Sequence, residues 1–152
     1  MICRNYPKRV PTLPLRRAVR QLLQSEGRSR AEVSILLTND TEVHQLNLLY
    51  RGKDSPTDVL SFGQYTAPSD RVSLLSTDGL PLLLGDVVIS VDTAIRQAQQ
   101  HSLALADELA LLAVHGTLHL LGYEDETEQG AAIMRLKERE ILGVSLDPVE
   151  KL

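Results

Sequence analysis

The chain has 152 residues, of which 43% are hydrophobic and 24% charged, as in one globular domain and unlike a disordered chain, a collagen-like repeat or a disulfide scaffold. One cysteine, Cys3, allows no intrachain disulfide. No apolar run approaches the roughly 20 residues that cross a bilayer, and the N-terminal MICRNYPKRV lacks the apolar stretch of a signal peptide, so the expectation is a cytoplasmic protein with no membrane partner. The net charge of −4 argues against nucleic-acid binding by bulk electrostatics, but it is unevenly spread. Residues 1–30 hold eight Arg or Lys against Glu26 alone, a net +7, while the remainder carries −11. A basic end on an acidic body marks either a polyanion-facing surface or a solvated helix face.

In chain order, the first predicted element is an amphipathic helix over 15–26. Leu15, Ala18, Val19, Leu22 and Leu23 form its apolar stripe, with Arg16, Arg17 and Arg20 mostly off it and Pro14 at its first turn. VSILLT (33–38) reads as a strand. Asn39 with Glu42 resembles a capping box opening a helix of about 40–50. TDVLSF (57–62) reads as a second strand, followed by a long turn-rich stretch over 63–81. LLLGDVVIS (82–90) is a third strand, leading into a helix of roughly 91–101. Residues 105–121 are apolar nearly all round, the pattern of a buried helix, and Gly122 is placed to end it in a left-handed turn. A last helix spans about 126–142, stopped by Gly143. Strands interleaved with helices predict an α/β (α+β) fold: one domain over 1–152, with a single mixed sheet flanked by about five helices.

The candidate chemistry begins on the buried helix. His115 and His119 are four residues apart, so both imidazoles share one face and can share one metal ion; the bland alternative is two core histidines bonded to backbone or carboxylates. The string continues through Gly122 to Glu124 and Asp125, giving H-x-x-x-H-x-x-G-x-x-D. A glycine three residues past the second histidine lets the chain turn back and bring Asp125 to the same ion, the logic of the metzincin zinc site with a carboxylate as third ligand. Zinc peptidases of that kind carry a glutamate directly after the first histidine, and here that position is Gly116, which argues against peptidase chemistry. Upstream, Arg51 and Lys53 flank Gly52 in a loop leading into a strand, which by composition is an ordinary charged turn and by position is suited to meet a phosphate.

These stretches together resemble the bacterial YbeY family of rRNA maturation factors, described as single-strand-specific metal-dependent endoribonucleases. The resemblance is carried by Asn47, Tyr50, Arg51, Lys53, Asp54, the run Pro56 to Phe62, the run Leu84 to Ser90, and His115-Gly116-Thr117-Leu118-His119-Leu120-Leu121-Gly122-Tyr123. Glu108, Met134, Glu138, Ile141 and Leu142 also fall where the family places similar residues. It extends from about residue 33 to 143, and the basic segment 1–30 matches poorly.

Two positions depart from the family pattern. The motif usually ends G-Y-D-H with a third ligating histidine, and here Glu124-Asp125 stands in its place; an anionic oxygen ligand would weaken the metal as a Lewis acid and shift its selectivity. Gly63 replaces a usual proline. The resemblance implies a metal in a cleft beside Arg51 and the buried central helix, and the ligand spacing points to one ion, zinc. The resemblance also implies action on ribosomal RNA of the small ribosomal subunit, in 3′-end maturation and quality control. The expected metal ligands are His115, His119 and Asp125, with Glu124 the other candidate for the third; Arg51 and His115 are the expected catalytic residues and Arg51 with Lys53 the phosphate binders, with Glu124 also a general-base candidate by proximity. The alternative reading is a non-catalytic ribosome-assembly factor with a structural or weakened metal site.

Overall fold

The structure, a computed structural model, describes residues 2–63 and 82–143. Among them the elements are β1 (Ile2–Arg4), α1 (Leu13–Ser25), β2 (Ala31–Thr38), α2 (Asp40–Arg51), β3 (Val59–Gly63), β4 (Leu82–Ser90), α3 (Val91–His101), α4 (Leu105–Leu120) and α5 (Glu128–Leu142). The sheet runs β1-β2-β4-β3, with β1, β2 and β4 parallel and β3 antiparallel to β4, so it is mixed as expected. The turn-rich stretch over 64–81 lies outside the described residues.

Strand β1 is an addition to the sequence-based reading. Its three residues carry no apolar alternation, and it forms by pairing in parallel with β2, Ile2 opposite Ile35 and Arg4 opposite Leu37. With α1 as the crossover this makes a β-α-β unit, which draws the basic N-terminal segment into the domain.

One face of the sheet carries the main core. Val33, Ile35, Leu37, Val87 and Ile89 pack there with Leu15, Val19 and Leu23 of α1, Val91 and Ala94 of α3, and Leu109, Leu112 and Ala113 of α4. Helix α4 lies deepest, with α1, α3, α5 and the sheet all packed on it, which is why it needs apolar residues all round. A smaller cluster of Val43, Leu60 and Val88 joins α2 to the opposite face.

The helix ends follow local chemistry. The Asn39 side chain accepts from the Glu42 backbone N–H and opens α2, while Gly52, at φ +70°, closes it. The second half of a capping box is diverted: the Glu42 carboxylate accepts instead from the Thr38 hydroxyl and the Asn5 amide. Ser90 opens α3 in the same way, and Gly122, at φ +104°, turns the chain after α4.

Candidate metal centre

His115 and His119 lie on the last turns of α4, and the turn at Gly122 returns the chain so that Asp125 meets them. The two Nε2 atoms are 3.2 Å apart, and Asp125 Oδ2 stands 3.4 Å from one and 3.5 Å from the other. Three ligands at zinc bond lengths on a tetrahedron are separated by roughly 3.3 Å, so this triangle has the dimensions of a tetrahedral face.

The outer ring nitrogens determine what the inner ones offer. His115 Nδ1 lies 2.8 Å from Glu138 Oε2, and His119 Nδ1 lies 3.0 Å from the Tyr123 carbonyl. A carbonyl only accepts, as does an ionised carboxylate, so both histidines carry their proton on Nδ1 and present Nε2 lone pairs inward. Two lone pairs and a carboxylate oxygen thus face one point, an arrangement that repels itself until a cation or a proton occupies it. The donor set fits a metal ion. Burial works against a charged His115, but the hydrogen bond and charge of Glu138, with the charges of Asp125 and Asp58, raise its pKa above the usual range.

A second layer holds the returning turn. The Tyr123 hydroxyl donates to Glu26 at the end of α1, and Lys137 of α5 reaches the other Glu26 oxygen at 3.1 Å while lying 5.2 Å from the Tyr123 ring centre. Burial opposes ionisation of Glu26, yet these two donors keep its pKa below the ordinary carboxylate range. The Tyr123 carbonyl that orients His119 is thereby anchored to two helices.

The site opens into a cleft of about 620 Å³ whose lining includes Arg51, Lys53, Asp58, Ser61, Glu124 and Glu126 besides the three candidate ligands. Arg51, the last residue of α2, donates from Nη2 to the Ser61 carbonyl, and its guanidinium lies 5.5 Å from the Phe62 ring centre. Lys53 follows the left-handed Gly52, which turns it towards the same cleft. The structure therefore brings Arg51, Lys53, Glu124, His115, His119 and Asp125 together, with Glu124 outside the triangle of candidate ligand atoms.

Gly116 explains the missing peptidase glutamate. A Cβ there would stand 2.7 Å from Val87 Cγ1 and 3.1 Å from Ser61 Oγ, so no side chain fits between α4 and the sheet. Ser61 Oγ donates to the Gly116 carbonyl at 2.8 Å and locks this close approach. Sequence reasoning placed Glu138 in the family pattern but gave it no role, and it gave none to Asp58 or Glu26. An acid on the apolar side of a terminal helix, as Glu138 is, was the available signal for the first.

The family model described as Endoribonuclease YbeY matches residues 4–145, reaching into the basic N-terminal segment. The endoribonuclease YbeY of Moorella thermoacetica is 47% identical over 134 residues, 87% of this chain and 85% of that one. That of Roseiflexus castenholzii is 44% identical over 141 residues, 91% of this chain and 86% of its own. In fold alone, the chain is similar to a Thermotoga maritima protein solved in solution, with a TM-score of 0.60, 22% identity and coverage of 94% of this chain and 90% of the other. No single helix among the described residues is long and apolar enough to cross a membrane. By the match of its family model and these curated relatives, the chain belongs to the YbeY endoribonuclease family.

Proposed function

We propose that this protein is an endoribonuclease that cleaves single-stranded RNA in a metal-dependent reaction, with His115, His119 and Asp125 as the ligands of one ion. What carries the reading is the convergence of three acceptor atoms, 3.2–3.5 Å apart, in the cleft that also holds Arg51. Two imidazoles and a carboxylate are a donor set that suits zinc, three ligands that would leave a fourth position for water or substrate. A divalent ion there supplies charge neutralisation at phosphate and acidifies water.

The chain's own groups perform the remaining work. Glu138 holds the Nδ1 proton of His115 and so keeps the Nε2 lone pair available. Arg51 pairs with a non-bridging phosphate oxygen, where negative charge grows as the attacking oxygen adds to phosphorus. Lys53 binds a neighbouring phosphate as a point charge. Glu124, an exposed carboxylate of the cleft, accepts the proton from the attacking water, while the P–O bond to the departing nucleotide oxygen breaks and that oxygen takes a proton from solvent in the open cleft. Ribosomal RNA of the small subunit, at its 3′ end, is the substrate this reading assigns, and ribosome quality control the wider setting.

The test is cleavage of single-stranded RNA by purified protein, with and without a chelator, beside the Arg51→Ala variant. The expected result is cleavage that is lost with chelator, restored by zinc and reduced at least a hundredfold in Arg51→Ala, on the scale of losing one transition-state donor. RNA binding without cleavage under all metal conditions favours the alternative, an assembly factor with a structural metal. Asp125, 42% exposed at the position where the family motif this chain resembles ends in histidine, is the feature on which that alternative rests.

A further inference from the structure

The last turn of α2 exposes three large residues in succession: Leu48 at 50%, Leu49 at 72% and Tyr50 at 63%. The chain is poor in aromatic residues, 3% overall with one Phe and four Tyr, yet its Phe and one exposed Tyr meet here. The Tyr50 and Phe62 rings are edge to face with centres 5.3 Å apart, and the Arg51 guanidinium lies 5.5 Å from the same Phe62 ring. Arg51 in turn lines the metal cleft. An exposed ring, a supporting ring and a guanidinium thus form one cluster continuous with the cleft.

From this cluster we infer a nucleobase-stacking subsite: Tyr50, braced by Phe62, takes the face of a base whose neighbouring phosphate lies against Arg51. The inference rests on the RNA-cleaving reading above and adds to it the feature that selects single strands. A base inside a duplex has both faces covered, whereas an unpaired base offers a free face to an aromatic ring. The contact with Phe62 restricts the Tyr50 ring, so less rotational freedom is lost when the base arrives. Arg51 then has two tasks, pairing with phosphate through its N–H groups and presenting a flat cation beside the stacked base. Stacking of this kind tolerates any base, so it reads strandedness and leaves sequence unread.

The experiment uses the full-length protein and a short single-stranded RNA carrying a 2-aminopurine, moved one position at a time, and a matching series with one abasic site. Binding is followed by fluorescence anisotropy and by 2-aminopurine quenching, with chelator to prevent turnover and again with zinc on a time scale shorter than cleavage. The expected result is one register at which the fluorophore is quenched and at which the abasic site weakens binding about tenfold. Tyr50→Ala should lose that quenching and about tenfold in affinity for the intact strand, with no further loss on the abasic strand, while Tyr50→Phe restores both. Because Tyr50 is exposed, an unchanged thermal midpoint of Tyr50→Ala is the check on folding. If wild-type protein binds RNA and Tyr50→Ala binds it equally well at every register, the stacking subsite is wrong and the nuclease reading stands. If neither metal condition gives RNA binding, both are wrong.

Discussion

Glu138 of α5 reaches across to α4 and places Oε2 2.8 Å from Nδ1 of His115, making the last helix part of the candidate metal centre. The carboxylate is nearly buried, at 7% exposure for the residue, and it fixes both the ring orientation and the tautomer of His115. Replacing it tests whether α5 serves the site or merely covers the core. Glu138→Ala is expected to weaken zinc binding about 10–100-fold in competition with a chromogenic chelator. Glu138→Gln, whose amide oxygen can still accept from Nδ1, should lose less. Unchanged affinity in both would reduce Glu138 to a packing role.

Asp125 is the ligand candidate that departs from the family motif, and exchanging it is informative in both directions. Asp125→His should tighten zinc binding, because it restores the third histidine of the motif the chain resembles, whereas Asp125→Ala should weaken it. Equal affinities in all three proteins, measured with the same competing chelator, would remove Asp125 from the ligand set and turn attention to Glu124.

Gly116 permits the close approach of α4 to the sheet, and even one methyl group has no room there. Gly116→Ala forces Val87, Ser61 and Val59 aside and breaks the geometry of the Ser61 to Gly116 hydrogen bond. Overpacking of this kind costs about 1–3 kcal/mol. For a domain of this length that corresponds to a fall in Tm of roughly 3–10 °C. A midpoint equal to wild type, measured by thermal unfolding, would show that the backbone yields easily at this point.

The elements most legible in the sequence are those whose signal is local. The buried helix α4 shows as a segment apolar on nearly every face, α2 opens at Asn39, and the glycine turn at Gly122 announces the return towards Asp125. The His115, His119 and Asp125 triangle follows from spacing alone because one helix and one turn build it. Strand β1 was hidden because its pairing with β2 is a tertiary contact between residues more than thirty apart, in a segment whose composition reads as a basic tail. The supports of the site were hidden for the same reason. Glu138 lies 23 residues from His115, and Glu26 lies 97 from Tyr123, distances over which periodicity and motif spacing carry no information.

Asp40 joins the starts of α2 and α3, accepting from Ser90 and Thr93 and pairing with Arg96 at 3.0 Å. Burial alone would raise its pKa, but these donors hold it below the ordinary carboxylate range. A pKa depressed in the folded state contributes stability that is fully present above the unfolded-state value, near 4, and is lost as pH falls through the folded-state value. Asp40→Asn should therefore lower Tm at neutral pH and leave a shallower decline on the acid side. Parallel acid limbs for the two proteins, in thermal melts between about pH 2 and pH 6, would show that Asp40 ionisation is not linked to folding.

Arg16, Arg17 and Arg20 stand exposed on α1, and Arg16 and Arg20 line a groove beside β2 with Ile2, Val19 and Leu23. If this face extends the phosphate track of the cleft, each arginine that touches single-stranded RNA adds about 0.7 to the slope of log affinity against log salt. Changing all three to Ala should then flatten the slope by about 2 and weaken binding to strands of any sequence. Arg51→Ala should behave differently. In the proposed role its contact with phosphate strengthens as charge grows in the transition state, so cleavage should fall more than affinity does. Affinity measured against salt for both variants separates the two roles. A triple variant with an unchanged slope assigns the arginines of α1 to a solvated helix face. The +7 charge of residues 1–30 would then act on solubility and long-range steering, without direct contact to RNA.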